Sequence, residues 1–243
     1  MCDLAHAGDS ITLYEHADQA LYRAKRHGRN QTFRYTTHAA EHLDPARARR
    51  RGETPARTRS LAEIAHAADA KHPDFADHPV RVAELACRLA TEASWPKDAV
   101  AALHEAALLH DLGTIAVPDA IVGKAGELTP GERAQVQTHA AAGAEMLKST
   151  LSDQQVAWVR RHHERWDGNG YPDGLAGPAV PDGARLLALA DAFDAMTHQR
   201  PYREALTHEL ALLEIHAHSD TQFDPRAVEL LERILPRTAR IDH

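Results

Sequence analysis

From residue 60 to near the end of the chain, apolar side chains recur at helical spacing in one segment after another, and no segment alternates as a strand would. Residues 79–94, PVRVAELACRLATEAS, put Val82, Leu85, Ala86 and Leu89 on one face at i, i+3, i+4 and i+7. SLAEIAHAADAKH (60–72) runs up to Pro73, and DAVAALHEAALLHDLG (98–113) offers Asp98 as a cap. TPGERAQVQTHAAAGAEMLKS (129–149) starts with Thr129 as cap, Pro130 at the first helical position and Glu132 three residues after the cap. DQQVAWVRRHHERWDG (153–168), ARLLALADAFDAMTHQRPY (184–202), THELALLEIHAH (207–218) and DPRAVELLERIL (224–235) continue the pattern. Aromatics make up only 5% of the chain, so it is poor in a class of residue that strands favour. An all-α domain over residues 60–243 is expected.

The first 59 residues differ. Residues 10–27 read as a helix between Ser10 and Gly28, and residues 31–35 as a short strand. One helix and one strand cannot bury a core alone, so residues 1–35 look like a fragment of a domain. Residues 36–59 mix Arg47, Arg49, Arg50, Arg51, Arg57 and Arg59 with Pro45, Gly52 and Pro55, the composition of a basic linker. The formal net charge of -7 argues against a nucleic-acid polymer as partner. Cys2 and Cys87 suggest neither a disulfide framework nor a cysteine metal site. No apolar run is long enough for a membrane span, and the N-terminus lacks the layout of a secretory signal, so the expected compartment is the cytoplasm.

Histidine is unusually frequent, at 18 of 243 residues, so position must decide which ones matter. His110 and Asp111 stand at the end of an apolar helical run. A carboxylate there faces the negative pole of the helix and needs a cation, a metal or water. Taken alone, the pair also fits a frayed, exposed helix end. His162 and His163 are adjacent, about 100° apart if helical. They fit either one buried and one surface histidine, or two ligands beside a wide metal site. They lead into DGNGYPDG (167–174), which must be a compact loop. Asp191 sits in the apolar run LLALADAFDAM, with Asp194 one turn later, while His78 and His139 stand on two other helices. Five histidines and two aspartates without cysteine suit a metal such as iron or manganese. A carboxylate shared by two metals, with a hydroxide between them, is a design that attacks a phosphodiester. Spacing alone does not assemble these residues into one site.

The long motifs carry a resemblance. HPVRVAELA, LLHDLGTIAVPDAIVGKAGELTPGE, THAAAGAEML, HHERWDGNGYPDGLAG, ARLLALADAFDAMTHQRPYR and QFDP follow one another in order. Residues 60–243 thereby resemble the HD-GYP domain, a bacterial subfamily of the HD metal-dependent phosphohydrolases. Gly170, Tyr171 and Pro172 match the motif in the subfamily's name. The resemblance implies a helical bundle that opens cyclic di-GMP to linear pGpG, and in some members on to GMP. It implies one divalent ion, iron or manganese, held by His78, His110, Asp111 and Asp191. It implies a second that shares Asp111 and uses His139, His162 and His163. His110 and Asp111 become the catalytic pair. Some members hold a third ion through a carboxylate one turn before the first histidine, the position of Asp74. Arg200 and Arg203 match positions that contact the ligand, where a guanidinium can pair bidentately with phosphate, and Tyr171 would form part of the substrate wall. Residues 16–35 resemble the C-terminal end of a GGDEF diguanylate cyclase domain without its nucleotide-binding motif. This implies a chain that begins inside a domain, and GGDEF or response-regulator proteins as partners.

Two positions depart from the HD-GYP pattern. The subfamily motif HDxGK reads HDLGT here, so Thr114 stands where a lysine would add positive charge beside the phosphate. Loss of one such contact can lower a rate on the order of 10²-fold. Lys124 matches a separate lysine and is no obvious replacement. Asp220 stands where the subfamily often has glycine, in a turn that Asp tolerates better than most residues. The expectation is an active cyclic di-GMP phosphodiesterase. The alternatives are a catalytically weak module that binds the dinucleotide or a protein, and an enzyme for another cyclic dinucleotide or phosphoester.

Overall fold

The computed structural model of the protein describes residues 77–124, 126–198 and 205–235. The expectations for residues 1–59, the helix at 60–72, Asp74, Arg200 and Arg203 lie outside them. The described residues form eight α-helices: α1 (His78–Glu92), α2 (Lys97–Leu108), α3 (Asp119–Val122), α4 (Pro130–Leu147), α5 (Asp153–Arg160), α6 (Asp182–Thr197), α7 (His208–Ala217) and α8 (Pro225–Ile234). Two 3-10 turns, Leu112–Ala116 and Gly177–Ala179, lie between them. No strand occurs among the described residues, only an isolated bridge between Ser219 and Phe223. The fold is all-α, and none of the described helices is long and apolar enough to cross a membrane.

Four of the helices, α4, α5, α7 and α8, start at a side chain that accepts from a free N–H group. Thr129 and Glu132 form a reciprocal capping box on α4, with Pro130 beginning the helix. Ser152 and Gln155 do the same on α5. The Gln155 amide then donates to the Ala102 carbonyl at 3.0 Å and to Glu105 Oε2 at 3.1 Å, tying α5 to α2. Asp98 is not the cap of α2. That helix begins one residue earlier, after Pro96, and Asp98 lies in its first turn, where its charge meets the positive helix pole.

Helix α1 packs on α2 and α6, α4 on α5 and on the first 3-10 turn, and α8 on α1 and α6. The expected face of α1 is the buried one: Val82, Ala86 and Leu89 are fully buried and Leu85 nearly so. Leu103, Leu187, Leu189, Ile215 and Leu231 complete the centre of the core, each contributing about 1.5–3 kcal/mol by burial. Two helices are shorter than the sequence pattern suggests. Helix α2 stops at Leu108, so His110 and Asp111 stand in the turn beyond it, and α5 stops at Arg160, before His162 and His163. At both places the chain turns sharply within a few residues, which releases adjacent side chains from the 100° separation of a helix.

Candidate metal centre

The turn after α2 meets α4 backbone to backbone. A Cβ on Gly113 would lie 2.0 Å from the His139 carbonyl oxygen and 2.5 Å from the Gly143 nitrogen. Only glycine allows this approach. It sets His110 and Asp111 beside His139. Beyond α5, the turn brings His162 and His163 to the same place, and α1 and α6 bring His78 and Asp191.

Four histidines are buried there: His78, His110, His139 and His162. Three share one device. Nδ1 of His110, His139 and His162 lies 2.8, 2.7 and 2.6 Å from the carbonyl oxygens of Ala107, Val136 and Val159, each three residues earlier. A carbonyl only accepts, so each Nδ1 carries the proton and each Nε2 is left with its lone pair facing inward. His110 Nε2 is buried with no hydrogen-bond partner. An orphaned nitrogen of this kind is costly unless a cation meets it.

Asp111 lies at the centre. Its Oδ1 is 3.2 Å from His139 Nε2 and 3.7 Å from His162 Nε2. Its Oδ2 is 3.4 Å from His110 Nε2 and 3.9 Å from His78 Nε2. Two groups of donors each fall within 4.8 Å: Asp111 with His139, His162 and His163, and Asp111 with His78 and His110. Asp191 stands beside the second group, its Oδ1 3.4 Å from His78 Nε2. Nitrogen and oxygen donors converging in this way fit a divalent ion in each group. The buried histidines form the floor, while Asp111, His163 and Asp191 are partly exposed and form the open side.

Charge follows this layout. Burial opposes protonation of His78, but hydrogen bonds to Asp191 and Asp194 outweigh it and push its pKa up to about 10. Burial likewise opposes, and the Asp111 charge outweighs it, for His110 and His139, which are both raised. Burial lowers His162 against the pull of Asp111. Burial and the neighbouring His162 hold His163 well below the usual range. Asp111 is held well below the carboxylate range, because His110, His139 and His162 overcome its desolvation.

The 167–174 loop closes one side of the centre. Tyr171 stacks on His163 with ring centroids 4.8 Å apart and planes at 30°, and its ring also approaches His139 at 6.5 Å. The Tyr171–Pro172 peptide is cis. The loop is latched by Glu164, which the sequence reading did not single out. This buried carboxylate accepts from the backbone nitrogens of Asp173 at 2.6 Å, Gly174 at 3.1 Å and Leu175 at 3.0 Å. From outside, Arg160 and Arg161 both hold Asp173. Gly170 passes so close to Glu164 that a Cβ would lie 2.5 Å from its Cα. Asp220 adopts the expected left-handed conformation at φ 64, and its carboxylate accepts from Trp166 Nε1 at 3.0 Å, a bond glycine cannot make. Thr114 donates its hydroxyl to the Asp111 carbonyl at 2.8 Å, and Lys124 pairs with Glu132.

Every predicted ligand among the described residues therefore stands in or beside this centre, and Tyr171 covers it. Asp194, noted in the sequence only as a neighbour of Asp191, contacts the far side of His78, with its Oδ2 2.6 Å from Nδ1.

Comparison with known proteins accords with the architecture. A family model described as "HD domain" matches residues 63–227. A protein of Xanthomonas campestris pv. campestris named cyclic di-GMP phosphodiesterase response regulator RpfG is 38% identical over 177 residues, 72% of this chain and 47% of the relative. A Vibrio cholerae protein named 3'3'-cGAMP-specific phosphodiesterase 2 is 37% identical over 69% of this chain and 33% of the relative. The match to each thus spans less than half of the relative's length. A crystal structure described as the V. cholerae cyclic GMP-AMP phosphodiesterase V-cGAP3 superposes with a TM-score of 0.57 at 21% identity, covering 73% of this chain and 48% of that one. With the family model spanning most of the chain and the helices arranged as described, this protein belongs to the HD-domain family.

Proposed function

We propose that this chain is a metal-dependent phosphodiesterase that opens cyclic di-GMP to linear pGpG, with GMP as the product only if the linear form is cut again, in cytoplasmic second-messenger signalling. The observation that carries this is the sharing of Asp111 between two groups of inward-facing donors. His78, His110, Asp111 and Asp191 would hold one ion, and Asp111, His139, His162 and His163 the other, iron or manganese in each. When bound, the ions would supply Lewis acidity toward the phosphate and activation of the attacking water. The chain's own part is to fix the donors from five segments of the fold and to keep the buried imidazoles in one tautomer. It also shields one side of the centre with Tyr171. Arg200 and Arg203 would grip the dinucleotide, and Asp74 would serve a third ion. The relatives named for cyclic di-GMP and for cGAMP support a cyclic dinucleotide as the substrate class. The proposed layout is a GGDEF-like remnant over 1–35, a basic linker over 36–59 and the HD domain over 60–243, with GGDEF or response-regulator proteins as partners.

A second reading rests on Thr114 and Lys124. The Thr114 hydroxyl is spent on the Asp111 carbonyl and Lys124 on Glu132, so neither offers charge to a phosphate. This favours a slow enzyme or a dinucleotide-binding module. Incubation of manganese- or iron-loaded protein with cyclic di-GMP separates the two. Linear product within minutes to hours supports the enzyme. Metal bound, dinucleotide bound and no product supports the binding module.

A further inference from the structure

Three of the four buried histidines find an Nδ1 acceptor three residues back on their own segment. His78 is the first residue of α1, and its Nδ1 instead meets a carboxylate from another helix, Asp194 of α6, at 2.6 Å. Asp194 is itself buried, with 4% of its surface exposed, and is held on several sides. Arg81, one turn along α1 from His78, donates through Nε at 2.6 Å to Oδ1 and through Nη2 at 3.0 Å to Oδ2. His198, the residue just after α6, places Nδ1 2.9 Å from Oδ1. Helix α1 thus supplies both the imidazole and the guanidinium, and α6 supplies the carboxylate between them. The same helix, α6, carries Asp191 on the Nε2 side of the ring at 3.4 Å.

This asymmetry matters for what His78 can do. A carboxylate accepting from Nδ1–H fixes the ring orientation and makes Nε2 a stronger donor than a peptide carbonyl does, and such outer partners commonly contribute 10–100-fold to metal affinity. A buried carboxylate so engaged needs a compensating cation, and the Arg81 guanidinium in contact with it supplies a permanent one.

We propose that Asp194, held by Arg81, is the positioning residue of the His78 group, and that its removal weakens metal binding there while leaving the His139, His162 and His163 group intact. The inference rests on the metal centre proposed above. It is tested on the full chain by titrating the metal-free protein with manganese and following free Mn(II) by electron paramagnetic resonance. The native chain is expected to show two classes of site. In Asp194→Leu, one class weakens about 10–100-fold, and it is the class that His78→Ala abolishes and His163→Ala spares. Asp194→Asn falls between, because its amide oxygen still accepts from Nδ1–H without the charge. Arg81→Ala weakens the same class by a smaller factor. If Asp194→Leu does not fold, Asp194→Asn and Arg81→Ala decide the question. Two unaltered classes in these variants, or an equal loss from both, overturns the inference. A native chain that takes up no manganese overturns the metal reading as well, so the two failures are distinguishable.

Discussion

Glu164 shows what a single residue contributes to this centre without facing it. Its carboxylate gathers three consecutive backbone N–H groups, Asp173 to Leu175, where the 167–174 loop ends, and that loop carries Tyr171 onto His163. Hydrogen bonds to a charged acceptor contribute more than neutral ones, and removing a buried acceptor strands its donors. Glu164→Ala is expected to destabilise the fold by on the order of 3 kcal/mol, measured by urea denaturation, and to open the loop to protease cleavage. Native stability and an uncut loop in this variant would refute the latch. In the sequence, Glu164 reads as one more charged residue after two histidines, because its partners are backbone groups that spacing does not reveal. The histidines were easier to see, since His78, His110, His139, His162 and His163 carry motifs. Their convergence with Asp111 and Asp191 was not visible, since the set runs from residue 78 to residue 191. Thr114 offers the complementary test. Thr114→Lys exchanges a turn-closing hydroxyl for a cation near Asp111, and kcat for cyclic di-GMP is expected to rise roughly 10²-fold. An unchanged or lower kcat with metal content preserved would show that charge at this position does not limit turnover.

Helix α4 matters as an element because it carries His139 at the centre and Gly143 at the contact with Gly113. Its start was legible from Thr129, Pro130 and Glu132, and the capping box formed as read. The early ends of α2 and α5 were not, because a helical pattern continues past the point where the backbone turns to deliver His110 and His162. The cap gives α4 a pH dependence. The Lys124 ion pair, and then the Thr129 backbone N–H, hold the Glu132 carboxyl down at about 2, against 4.5 for the free side chain. A depressed carboxylate stabilises the folded state fully above its unfolded pKa, and that contribution is lost as pH falls toward the folded value. The difference in Tm between the native chain and Glu132→Gln is therefore expected to be largest above about pH 5 and to vanish near pH 2. A difference constant across that range would mean the charge does not act. The middle of the same helix is tested by Gly113→Ala. Its Cβ must displace the His139 carbonyl, so the turn and the helix separate. The expected destabilisation is about 1–3 kcal/mol, with loss of bound metal from both groups measured by elemental analysis.

At the scale of the whole molecule, the centre gathers α1, the turn after α2, α4, the turn after α5, and α6, so it joins segments that the apolar core also joins. The core was readable because helical periodicity is local and each stripe declares its own buried face. The centre was readable only through a resemblance, because nothing local says that seven polar positions on five segments share one site. The two systems are not energetically equivalent. The core is made of side chains that gain by leaving water, whereas the centre buries four imidazoles and leaves His110 Nε2 without a hydrogen-bond partner. An ion that binds only the assembled site meets that nitrogen and adds its binding free energy to folding. Ligand linkage sets the scale: free metal at about 1,000 times its dissociation constant adds about 4 kcal/mol. For a domain of this size that corresponds to a rise in Tm on the order of 10 °C. Scanning calorimetry of the chain with manganese and with excess chelator is expected to show that gap, and His110→Ala is expected to narrow it. Asp111→Ala, which touches both groups of donors, is expected to close it. A melting temperature indifferent to metal in the native chain would mean that these donors do not hold an ion between the segments they join.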